Sequence, residues 1–63
     1  MKILVSKLKV GDRYIDTNFC GEDYFLTVVE IIPGPMYSVT LENEEGERLT
    51  RMLFSDQYVE KGL

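Results

Sequence analysis

The sequence predicts an all-β domain, a small five- to six-stranded barrel with one or two single-turn helices. Three observations point there. Glycines and prolines cut the 63 residues into short pieces. No stretch of ten or more residues sustains a helical period. The pieces are rich in β-branched and aromatic residues, and one of them alternates cleanly between apolar and polar positions. A closed barrel is expected over an open sheet because closure removes exposed strand edges. A chain of this length makes one domain, residues 1–63.

The elements follow in order. Met1 to Val5 reads as a short strand. Ser6-Lys7-Leu8-Lys9 follows as a single helical turn that Ser6 is placed to cap. Val10-Gly11-Asp12 reverses the chain, with Gly11 free to take a positive φ. Arg13-Tyr14-Ile15 opens a second strand, and Asn18 to Asp23 is a loop. Tyr24 to Ile32 is the strongest strand signal, but its apolar residues do not alternate. Either both faces are covered, or a bulge switches the faces partway. Pro33-Gly34-Pro35 ends it. Met36 to Glu42 alternates, with Tyr37, Val39 and Leu41 on one face. Asn43-Glu44-Glu45-Gly46 is a hairpin turn in which Gly46 suits a left-handed conformation. Glu47 to Phe54 returns, Ser55-Asp56-Gln57 is one turn, and Tyr58-Val59-Glu60 is a last short strand.

Two segments carry a resemblance. Leu8-Lys9-Val10-Gly11-Asp12-Arg13 resembles the segment after the first long loop of small Src-homology-3-like barrels. Phe54-Ser55-Asp56-Gln57-Tyr58-Val59-Glu60 resembles their closing aromatic, helical turn and Tyr-Val segment. The resemblance implies the barrel fold. It does not imply polyproline binding, because of the aromatic groove only Tyr58 has a counterpart. In its compactness the chain also looks like accessory proteins of bacteriophages and prophages.

Composition narrows the chemistry. With no histidine and one cysteine, the chain cannot form an intrachain disulfide or a zinc cluster, and it lacks the commonest general base. Cys20 has only acidic charges near it in sequence, Asp16, Glu22 and Asp23, which disfavour a reactive thiolate. Asp12 reads as a turn residue bonding to nearby backbone N–H groups, and Asp16 as solvated. No catalytic residue, metal ligand or cofactor is therefore assigned, and the chain is read as non-enzymatic. The N-terminal apolar run is too short for a leader or a membrane span. Together with the single thiol, this reads as a cytoplasmic protein.

Acidic residues outnumber basic ones by 11 to 7, for a net charge of −4. That balance opposes non-specific nucleic-acid binding. The alternative of a nucleic-acid-binding barrel rests on Lys7, Lys9, Arg13 and Arg48. A third reading, an acidic mimic of DNA, rests on Glu42, Glu44, Glu45 and Glu47. The leading reading is a protein-interaction module for a host or self partner, because the 24–32 and 47–54 strands carry more apolar residues than one interior can hold. Alternation sets Leu49, Arg51 and Leu53 against Arg48, Thr50, Met52 and Phe54. The bulk of Met52 and Phe54 assigns their side to the core. Leu49, Arg51 and Leu53 then form the expected partner-binding face, the alternative being a bulge near Thr50 that turns Leu49 inward and leaves only Leu53 outside.

Overall fold

The computed structural model describes residues 1–17 and 23–62. Residues 18–22 of the expected loop, Cys20 among them, lie outside the described residues. Six antiparallel strands form one sheet: β1 (Lys2–Leu4), β2 (Arg13–Thr17), β3 (Asp23–Ile32), β4 (Met36–Glu42), β5 (Arg48–Phe54) and β6 (Tyr58–Gly62), in the order β1-β6-β2-β3-β4-β5. Among the described residues the only helix is one 3-10 turn, Val5–Lys7. It starts one residue before the expected turn. Leu4, not Ser6, precedes it, and no side chain caps it. Among the described residues no helix is long and apolar enough to cross a membrane.

Local chemistry explains the boundaries. Gly11 and Gly46 take φ of 98° and 84°, so both reversals use the residue that bears a left-handed backbone without strain. Asp12 accepts a hydrogen bond from the Lys9 N–H at 3.0 Å, as an aspartate in a turn does. Asn43 organises the β4–β5 hairpin. Its side-chain oxygen accepts from the N–H groups of Glu45 and Glu47 at 2.9 and 2.8 Å. After β5, the Gln57 N–H closes a turn on the Phe54 carbonyl.

The irregular apolar pattern of β3 is resolved by a bulge between Val28 and Glu30. Val28 opposes Leu41, whereas Glu30 opposes Thr40. One extra residue therefore shifts the alternation, so that Leu26, Val28 and Ile31 face the core and Glu30 and Ile32 face out.

One core forms on one side of the sheet. Val5, Leu8, Tyr14, Leu26, Val28, Val39, Leu41, Leu53 and Val59 are buried in a single cluster, with Ile3, Ile31 and Tyr37 packed against it. For this to include both Val5 and Leu53, the sheet must curl. It is not closed, however: β1 and β5 are its two edges. Backbone bonds from the Val5 and Ser6 N–H groups to the Gln57 and Ser55 carbonyls, 2.9 and 3.3 Å, carry the β1–β6 pairing on into the turn that follows β5.

The facing of β5 is the reverse of the sequence expectation. Tyr37, Val39 and Leu41 of β4 face the core, and their cross-strand partners are Leu53, Arg51 and Leu49. Directly opposed residues share a face. Leu53 is 7% exposed, whereas Met52 and Phe54 are 57% and 59% exposed. Register with β4 decides the matter, and side-chain bulk does not.

Candidate interaction surface

The outer side of β3, β4 and β5 carries an apolar patch built by register. Ile32 lies opposite Ser38, and Ser38 opposite Met52, so these three form one row across the strands. Met36 and Phe54 form the next row. Ile32 is 54% exposed, comparable to Met52 and Phe54, and Met36 is half-buried. Each of these residues is where it is for a local reason. The β3 bulge turns Ile32 outward, Pro33-Gly34-Pro35 starts β4 so that Met36 faces out, and the hairpin register aligns Met52 and Phe54 with them.

Further along the same face the chemistry turns polar. Thr40 and Thr50 share a hydroxyl hydrogen bond of 3.0 Å, and Arg48 donates to Glu42 at 2.8 Å. The patch is thus bounded on that side by the two threonines, the Arg48–Glu42 pair and the outward carboxylate of Glu30, which lies opposite Thr40.

Of the residues expected to bind a partner, Leu53 is in the core and Leu49 lies at the end of the concave side, 41% exposed. Arg51 crosses the concave side to Asp16 on β2 and forms an ion pair. Asp16 is therefore a paired carboxylate and not the freely solvated one expected. Next to this pair, burial raises the Tyr14 phenol above its ordinary pKa of 10.0. Asp16 pushes it the same way and Arg51 opposes. The three expected partner-binding residues thus do not form one outer face. Met52, Phe54 and Ile32 do form one, although bulk alone points Met52 and Phe54 inward and the unalternating pattern of β3 leaves the facing of Ile32 open.

The four basic residues of the nucleic-acid alternative are spread out. Lys7 is on the 3-10 turn and Lys9 follows it. The Arg13 guanidinium lies 5.5 Å from the centre of the Phe25 ring. Arg13 and Arg48 do share a row across the outer face, but Thr27 and Glu42 stand between them and Glu42 holds Arg48. Lys61 is 3.6 Å from Asp12. On the outer face Glu42 thus interrupts the row that holds Arg13 and Arg48, and Lys61 stands on the other side of the sheet, opposite Tyr14.

Among the described residues no group of three or more His, Cys, Asp or Glu side chains is placed to hold a metal ion. Compared with protein-family models, with curated proteins and with solved structures, the chain matches none.

Proposed function

We propose that this chain is a non-enzymatic protein-interaction module on a curled sheet of the Src-homology-3-like barrel kind. Its working surface is the outer face of β3, β4 and β5, centred on Met52 and Phe54. One observation carries this reading: large apolar side chains sit in adjacent rows beside a strand that ends the sheet, more than half exposed at Ile32, Met52 and Phe54. Contiguous exposed apolar surface on a small soluble domain marks a contact site. The interface lies on the strand named by the sequence, but on its other side.

The test is a double variant, Met52→Glu with Phe54→Glu. Both side chains are exposed, so the fold tolerates the charges and the melting temperature stays close to wild type. Cross-linking and affinity capture should show the wild type in complexes that the double variant no longer forms. If both proteins give the same complexes, this face is not the working surface.

A further inference from the structure

Backbone geometry fixes which groups line the free edge of β5. The Asn43 N–H donates to the Glu47 carbonyl at 2.9 Å, so these two form a hydrogen-bonded pair. Hydrogen-bonded and non-hydrogen-bonded pairs alternate along an antiparallel ladder. In the register that runs from Glu42 opposite Arg48 to Met36 opposite Phe54, Leu49, Arg51 and Leu53 therefore bond to β4. Arg48, Thr50, Met52 and Phe54 turn their N–H and C=O groups away from it. Phe54 is used by the next turn: its carbonyl accepts from the Gln57 N–H at 3.1 Å, and its N–H donates to Gln57 Oε1 at 3.4 Å. Arg48, Thr50 and Met52 keep backbone donors and acceptors with no partner among the described residues.

Free edges are usually blunted by proline, lysine, a bulge, an inward charge or a covering segment. The sequence of β5, RLTRMLF, holds no proline or lysine, and its register with β4 is unbroken. Its one inward charge, Arg51, is matched by Asp16. This edge is open to pairing, and the apolar patch lies directly beside it.

We infer that the occupant is a second copy of this chain, its β5 laid antiparallel against this one about a two-fold axis. The inference rests on the interaction-module reading and names the partner. Charge favours it. Arg48 is matched by Glu42 and Arg51 by Asp16, so two copies meet without an unmatched like charge along the edge, although each chain carries −4. A parallel alignment would set the two hairpin tips, each with Glu44 and Glu45, side by side. The antiparallel one moves them to opposite ends of the strand pair, about 30 Å apart for a two-fold axis at Thr50.

A two-fold axis at Thr50 opposes each Thr50 to its copy and each Arg48 to the other copy's Met52. All three unpaired edge residues of both chains are then satisfied in one register. The Arg48 stem covers the other chain's Met52 without removing its own charge from water. Pairing is self-complementary, as a two-fold interface requires.

The experiment is sedimentation velocity of the full chain from micromolar to millimolar concentration, for wild type, Thr50→Pro and Met52→Glu. Proline at position 50 removes the central edge N–H and the Thr40–Thr50 hydroxyl hydrogen bond but no backbone bond to β4, and proline is tolerated at such an edge position. The wild type should dimerise as concentration rises. Both variants should keep the wild-type circular dichroism and self-associate roughly ten-fold more weakly or worse. If Thr50→Pro fails to fold, Met52→Glu decides alone, since its side chain is exposed. A dimer unaffected by these substitutions overturns the edge assignment. A wild type that stays monomeric overturns self-pairing. In that case, capture of another protein by wild type but not by Met52→Glu leaves the interaction reading standing, and absence of any such capture removes it as well.

Discussion

Arg51 on β5 and Asp16 on β2 form an ion pair across the concave side of the sheet, between strands that are three positions apart in the strand order. In a flat sheet three strand spacings would separate them by about 14 Å, beyond the reach of the two side chains. Their contact therefore records the curl and helps to hold it. Both side chains are partly exposed, 44% and 32%, so the pair is worth about 0.2–1 kcal/mol. A double-mutant cycle of Arg51→Ala and Asp16→Asn, followed by chemical denaturation, should return a coupling of that size that shrinks with added salt. Arg51→Glu would oppose two carboxylates and lower the melting temperature, while leaving the outer patch unchanged. A variant with unaltered stability and lost association would instead return Arg51 to the interface.

The two sides of β5 should respond oppositely to truncation. Leu53→Ala removes core atoms and should cost about 2–5 kcal/mol, enough to unfold much of a domain this small. Met52→Ala, one residue away, should change the stability of the isolated monomer by less than about 0.5 kcal/mol. Thermal melts at a concentration too low for association measure both. Equal losses would mean that the facing of β5 is misassigned.

Much of the fold could be read in the chain because its turns are written in residues with distinct backbone rules. Gly11, Pro33-Gly34-Pro35 and Gly46 placed the breaks, and β4 was bounded correctly at Met36 and Glu42. The bulge in β3 was one of two open explanations of its pattern, and register with β4 selected it. The facing of β5 is not legible from bulk, which points Met52 and Phe54 inward, because pairing with β4 overrides it. Counting back from the Asn43–Glu47 hairpin sets Leu53 opposite Tyr37, on the side already known to be apolar in β4. The Arg51–Asp16 pair had no sequence signal at all. Its partners are 35 residues apart and meet only because the sheet curls.

Tyr14 gives the fold a pH dependence of known sign. Its phenol is raised above 10.0 in the folded chain, first by burial and then by Asp16. The folded state therefore holds the proton more tightly than the unfolded state does. Its contribution is fully present below the ordinary phenol pKa and is lost as pH rises from there through the raised folded value. Denaturation followed across the alkaline range should show stability falling in that window. Tyr14→Phe should flatten this limb. An equally steep limb in Tyr14→Phe would assign the effect to other groups.

The claim that β5 is the working edge is tested most directly by amide hydrogen exchange, resolved by residue and measured at low and high protein concentration. The N–H groups of Leu49, Arg51 and Leu53 bond to β4 and should be protected at both concentrations. Those of Arg48, Thr50 and Met52 should exchange freely in the dilute monomer and become protected together as concentration rises. If those three amides exchange at the same rate at every concentration, the edge is not paired and the account of the second copy is wrong.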